Sequence, residues 1–192
     1  MDKNFNVIIT GVGGQGVITI VSVLDEACTV QGYDVRSSEL HGLSQRGGSV
    51  VTHVRFGKRV YSPLVPREGA DLIIGLEIIE SLRDAIFSNP KTVFIVNDYS
   101  MPFAGCAPIE TILSELKKIA GKNLHIVPAD KDCTEKLQKG VVATMHLLGY
   151  ATVKKLLPLK KESILRAIKN IIPAKHQELN IKAFELGCSY GN

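Results

Sequence analysis

The segment NVIITGVGGQGV, residues 6–17, restricts the fold of this chain more than any other. A β-branched run from Asn6 to Thr10 passes into a glycine-rich turn, after which Val17, Ile20, Val21, Leu24 and Cys28 recur at helical spacing. The run reads as a buried strand and the recurrence as a helix, whose apolar stripe Val23 and Ala27 broaden until most of it is covered. A strand that turns sharply into such a helix packs back only onto a sheet with further strands, so the opening points to an α/β fold.

The alternation continues with a second strand around Tyr33 to Ser38, which leads into ELHGLSQRGGS. Here the pattern leaves that of a dinucleotide-binding half, where another crossover helix would follow. Instead SVVTHVRF reads as a strand, and Gly57-Lys58 is expected to turn it back onto Arg59-Val60-Tyr61 as a hairpin. Strands are expected at Ala70 to Leu76, Thr92 to Asn97 and Leu124 to Val127. Between them lie a helix from Glu77 to Phe87, with Ile78, Leu82, Ala85 and Ile86 on its stripe, and a helix opened by Pro108 with Ile109, Ile112, Leu113, Leu116 and Ile119 on its core face. Met101 to Pro108 is a loop punctuated by Pro and Gly. From Asp130 the chain reads as helical: one segment to about Leu148, one around Lys160 to Ile172 and one after Pro173. The expected architecture is a three-layer α/β/α, Rossmann-like domain with a mixed sheet, a β-hairpin insertion and a helical C-terminus. It is one domain over residues 1–192, with an α/β core over 1–130 and a helical part over 131–192.

Composition narrows the function classes. The 192 residues are 45% hydrophobic and 22% charged, enough apolar material for one sizeable core. A net charge of +4 without a basic block or interleaved aromatics gives no footprint for nucleic acid. No apolar run reaches the roughly 18 residues that span a bilayer. MDKNFNVIIT enters a strand directly, without a signal pattern, so a cytoplasmic protein is expected. Cys28, Cys106, Cys133 and Cys188 are scattered, with no pair at metal or redox spacing, and are expected to be reduced core thiols. The sequence offers no ligand set for an iron–sulfur cluster or a structural zinc.

Gly11, Gly13 and Gly16 match G-x-G-x-x-G between a strand and a helix, the setting that gives the pattern meaning. Gly14 and Gln15 add a further glycine and a polar side chain. Glycines let the backbone take φ > 0 and approach a ligand, and the following helix start offers open amides to an anion. Asp34 and Glu39 lie about twenty residues on, where a ribose-binding acid would sit in a dinucleotide enzyme. A turn that only packs a helix onto a strand remains the alternative. In the polar loop, Glu39, His41, Gln45, Arg46, Gly47, Gly48 and Ser49 are the candidates for function. The Arg46 guanidinium is a rigid donor fork suited to carboxylate or phosphate, and Gly47-Gly48 can present backbone amides. A solvated Arg46–Glu39 pair is the alternative there. His41 has no partner at a catalytic spacing, and no residue is assigned as catalytic.

Taken together, GVGGQG, ELHGLSQRGGSVVTHVRFG and VYSPLVPREGADLIIGLE resemble the gamma-domain family of the 2-oxoacid:ferredoxin oxidoreductases. The resemblance runs from Phe5 to the C-terminus, where ELNIKAFELG is similar to the family's closing helix. Within the family, the YSPLVP segment and the free-standing length are most similar to the beta subunits of the indolepyruvate branch. Thr144 stands where many relatives are expected to carry asparagine. The resemblance implies one subunit of a complex, inactive by itself, that oxidatively decarboxylates aryl 2-oxoacids to acyl-coenzyme A and carbon dioxide while reducing ferredoxin. It implies no cofactor on this chain, which also lacks a GDG…N segment. Thiamine diphosphate, magnesium and [4Fe-4S] clusters are expected on a large alpha subunit, with coenzyme A as a substrate. The gamma subunits of pyruvate, 2-oxoglutarate or 2-oxoisovalerate enzymes are the neighbouring reading, a stand-alone NAD(P)-binding oxidoreductase a more distant one, and a purely structural adaptor a third. The two glycine elements are expected on adjacent loops at one edge of the sheet, facing the cofactors of the partner, with Arg46 reaching a substrate carboxylate or coenzyme A phosphates. Lys154, Lys155, Lys160 and Lys161 could face ferredoxin or simply solvent.

Overall fold

The computed structural model describes residues 3–42 and 47–191. Strand β1 (Phe5–Val12) is followed by helix α1 (Val17–Val30), strands β2 (Asp34–His41), β3 (Ser49–Gly57) and β4 (Leu72–Gly75), helix α2 (Ile78–Arg83), and strand β5 (Val93–Asn97). Helix α3 (Ile109–Ala120) and strand β6 (Leu124–Val127) precede the C-terminal helices α4 (Ala129–Leu137), α5 (Ala143–Val153), α6 (Lys161–Ile171) and α7 (Ala174–Gly191). The strands form one sheet in the order β2-β3-β1-β4-β5-β6. β4, β5 and β6 run parallel to β1, and β3 runs antiparallel to both of its neighbours.

The period of two along each strand sorts side chains onto two faces. Val7 and Ile9 of β1, Val54 and Phe56 of β3, and Leu72 and Ile74 of β4 join α1 and the C-terminal helices in one core. Ile8, Ile73, Phe94 and Val96 join α2 and α3 in the other. The three-layer arrangement with a mixed sheet and a helical C-terminus follows from that division.

The β-hairpin differs in place from the sequence reading. Arg59 to Tyr61 form no strand, because β3 is already paired along both edges, to β1 and to β2. The segment is held by side chains of β2 instead: the Val60 amide donates to Asp34 at 2.8 Å and Arg36 donates to the Val60 carbonyl at 3.2 Å. The hairpin is β2–β3, and its connection is the polar glycine loop.

The expected single helix from Asp130 to Leu148 is two helices. Gln138 takes a left-handed conformation, φ 56°, and its amide and that of Lys139 cap the carbonyls of Thr134 and Cys133. Gly140 follows so close to Asp130 and Thr134 that a Cβ there would collide with both side chains. The helix from Glu77 to Phe87 also changes character, since α2 ends at Arg83 and Asp84–Phe87 is a 3-10 turn. The tighter winding turns Ile86 off the α-helical stripe, and it is 54% exposed. Ile119 and Ile171, in the last turns of α3 and α6, are also exposed.

Helices α5 and α7 cross in backbone contact. A Cβ at Gly149 would overlap the Phe184 carbonyl, and one at Gly187 the His146 carbonyl. Among the described residues no helix is long and apolar enough to cross a membrane.

Candidate functional site

The site grows out of the end of β1. Gly14 and Gly16 have φ of 102° and 82°, a region that costs an L-residue about 1–2 kcal/mol. Gly11 is required for a different reason: a Cβ there would stand 2.7 Å from the side-chain oxygen of Gln15. Gln15 folds back over the turn, accepting from the Val12 amide at 2.9 Å and donating to the Leu76 carbonyl at 3.3 Å. It therefore staples the turn to the end of β4. Gly16 starts α1 without a side-chain cap, and no acidic residue occupies the first helical turn, so the amides there stay open to an anion.

The two glycine elements meet. The Gly13 amide donates to the Gly48 carbonyl at 2.8 Å, and the Gly47 amide, in a residue at φ 70°, donates to the Gly13 carbonyl at 3.1 Å. Gln45 and Arg46 lie outside the described residues. Glu39 and His41 are exposed on β2, on the α1 side of the sheet. Together with Val12, Gly13, Val17 and Ile18 they line a cleft of about 480 Å³. A second cleft of about 330 Å³ opens on the other side of the turn, lined by Gln15, Asn97, Tyr99, Asp130 and Thr144. Gly14 borders both, so the turn is the wall between them. Thr144 also backs Gly16, whose Cβ would sit 3.6 Å from the Thr144 methyl group.

The ribose-acid reading does not survive for Asp34. It stands at the opposite end of β2 from the glycine turn, and its carboxylate accepts the Val60 amide. Glu39 is near the turn and lines the first cleft.

Sequence reasoning missed a group of buried acids beneath this edge. Glu77 caps α2 by accepting the Glu80 amide at 2.8 Å, and its other oxygen accepts the Met101 amide at 2.9 Å. Glu80 accepts the Ser49 hydroxyl at 2.5 Å and pairs with Arg83 at 2.9 Å. Thr10, on β1, is hydrogen-bonded to Asp84. Burial raises the carboxyl pKa of Glu77 and of Asp84, partly offset by the hydrogen bonds each accepts. At helical spacing the acids at 77, 80 and 84 fall on the face opposite the apolar stripe of Ile78, Leu82 and Ala85, so the pattern reads as a solvated face and carries no mark of their burial.

The cysteines do not fit an iron–sulfur cluster. Cys28, Cys133 and Cys188 are buried in three different helices, and Cys106 sits in the loop before α3. Burial, with Asp25 nearby, pushes the Cys28 thiol up, and burial, with Asp132, pushes that of Cys133 up to about 12. Among the described residues no three His, Cys, Asp or Glu side chains are grouped to hold a metal ion.

Comparison with known proteins gives a consistent result. The family model described as pyruvate ferredoxin/flavodoxin oxidoreductase matches residues 6–190. The chain is 37% identical over 195 residues to the indolepyruvate oxidoreductase subunit IorB of Thermococcus kodakarensis, covering 96% of this chain and 95% of that one. Its fold is similar to that of the pyruvate oxidoreductase subunit PORC of Thermotoga maritima, with a TM-score of 0.71 and 20% identity over 97% of this chain and 96% of that one. It is also similar to part of the 2-oxoglutarate:ferredoxin oxidoreductase of Magnetococcus marinus, solved with 2-oxoglutarate, coenzyme A and succinyl-CoA bound. That TM-score is 0.74 at 16% identity, over 98% of this chain and 31% of that one.

Proposed function

The chain belongs to the pyruvate ferredoxin/flavodoxin oxidoreductase family, and from that premise we propose that it is the small subunit of an indolepyruvate oxidoreductase. The full-length likeness to IorB supports an aryl 2-oxoacid as substrate, in preference to pyruvate, 2-oxoglutarate or 2-oxoisovalerate. The complex oxidatively decarboxylates that acid, passes the acyl group to coenzyme A and the electrons to ferredoxin, and works in the cytoplasm. A large alpha subunit carries thiamine diphosphate, magnesium and [4Fe-4S] clusters, which supply the decarboxylation chemistry and the electron path when bound.

The observation that carries the reading is the joining of the two glycine elements through Gly13, Gly47 and Gly48 at one end of the sheet. Open α/β sheets collect their ligands outside the carboxyl ends of parallel strands, and β1, β4 and β5 all end here. This edge is the face presented to the large subunit. Ile18 and Val141, 62% and 64% exposed, flank the turn and give that face apolar anchors. Glu39, His41 and the open amides of α1 border the adjoining cleft. Arg46, which lies outside the described residues, is the donor proposed for an anionic group of substrate or coenzyme A.

Co-purification of this chain with its large subunit tests the proposal. Reduction of ferredoxin that requires both indolepyruvate and coenzyme A is expected of the pair and of neither chain alone. Thiamine diphosphate and iron–sulfur absorbance should travel with the large chain. Turnover by the small chain unaided, or a pair that prefers pyruvate, would overturn it.

A further inference from the structure

We infer that Glu80 is a positioning residue of the reaction edge, acting through Ser49 on the contact between the two glycine elements. The inference rests on the proposal that this edge serves the 2-oxoacid reaction.

Glu80 lies in the first turn of α2, on the face of the sheet away from α1, and is only 5% exposed. One of its oxygens accepts the Ser49 hydroxyl at 2.5 Å, and Arg83 spans both oxygens at 2.9 and 3.1 Å. Ser49 is the first residue of β3 and is paired in register with Val12, the last residue of β1. Gly48 and Gly47 precede it directly and are the residues bonded to Gly13. A continuous chain of contacts thus leads from an Arg83 side chain that is 49% exposed, through Glu80, Ser49 and Gly48, to the turn that divides the two clefts.

Burying a carboxylate is expensive unless it is paired, and here one guanidinium nitrogen spans both oxygens while Oε2 also accepts the Ser49 hydroxyl. Glycines cannot fix their own path, because they have no side chains to pack. A rigid anchor at the first residue after Gly47-Gly48 makes up for that freedom. The anchor itself is rigid because α2 is tied down at both ends: Glu77 accepts the amides of Glu80 and Met101, and Asp84 meets Thr10 of β1. Glu80 touches neither cleft; its effect is on placement.

The test uses the two-subunit complex. Ser49→Ala removes the hydroxyl, and Glu80→Gln leaves one acceptor oxygen where the carboxylate uses two. Each is expected to lower kcat/KM for the 2-oxoacid about tenfold, the scale set by a small misplacement of a positioned group, while the complex still assembles. Because both variants break one chain of contacts, Ser49→Ala/Glu80→Gln should be no slower than the worse single variant. Ser49→Thr, which keeps a hydroxyl, should recover most of the loss. Multiplying effects, unchanged kinetics for Ser49→Ala, or a loss that Ser49→Thr does not relieve would each overturn the inference. If Glu80→Gln does not fold, the comparison of Ser49→Ala with Ser49→Thr decides alone. A wild-type pair without 2-oxoacid activity would instead overturn the functional proposal, a result distinct from silent variants beside an active wild type.

Discussion

The amide of Gly13, in the turn after β1, donates to the carbonyl of Gly48, at the head of β3, at 2.8 Å. Two glycine-rich elements that lie well apart in the chain are thereby one piece of backbone at the end of the sheet. Gly47 completes the contact from a left-handed conformation, φ 70°. Gly47→Ala should therefore cost about 1–2 kcal/mol, read from urea unfolding, because the new Cβ crowds the backbone at positive φ. Gly32 is also at positive φ, so Gly42→Ala is the better control: among the described residues its added methyl group meets nothing within 4 Å, its φ is not positive, and stability should change by less than about 0.5 kcal/mol.

Gln15 and Gly11 form a second pair that can be tested together. Gln15→Ala leaves the Val12 amide without its acceptor and frees the end of β4, a loss of about 1–3 kcal/mol. Gly11→Ala forces the Gln15 side chain out of the same place. The two changes should add to less than their sum in a double-mutant cycle, and full additivity would contradict the staple described for Gln15.

The crossing of α5 and α7 leaves no room for a methyl group. Gly187→Ala must push the helices apart, since its Cβ would overlap the His146 carbonyl, and the same holds for Gly149→Ala against Phe184. Each should cost about 3 kcal/mol, the upper range for overpacking, with loss of helical circular dichroism at a lower temperature.

Asp84 gives a pH signature. Burial raises its folded pKa above the unfolded value of 3.8, so its contribution to stability is fully present below that value and is lost as pH rises through the folded pKa. Asp84→Asn removes that loss. Relative to wild type, the variant should gain stability as pH rises from about 4 through the folded pKa of Asp84 in unfolding titrations. A constant difference across that range would contradict the burial assigned to this carboxyl.

Thiol reactivity separates the cysteines. Burial holds the Cys28 and Cys133 thiols far from ionisation, and Cys188 is also shifted up by burial. A disulfide reagent at pH 8 should modify the half-buried Cys106 first and the other three only on unfolding.

Much of this was legible in the sequence because it is local. The β1–turn–α1 unit declares itself through a change of period from two to 3.6 across the glycines. The strands at β4, β5 and β6 stand out as short apolar runs between helical stripes. The hairpin was misplaced because Gly57-Lys58 is a strong local turn signal, whereas the partner that occupies each edge of β3 is set by residues far away in the chain. The Gly13–Gly48 bond joins two backbones and leaves no mark on side-chain identity. Glu80 and Asp84 escaped notice because an acid on a short helix reads as a solvated residue, and only Ser49 and Thr10 opposite them show otherwise. The expected adjacency of the two glycine elements is a backbone contact among Gly13, Gly47 and Gly48.

The antiparallel β3 wedged between β2 and β1 also governs the order in which the molecule can be built. Phe5 waits for Phe56 on one flank and Val7 for Leu72 on the other. While the ribosome is still extending the chain, the central strand has two bare edges and no means of covering them. An N-terminal fragment that stops before β4 would expose that strand to self-association, so this sheet can close only late, when most of its strands have emerged.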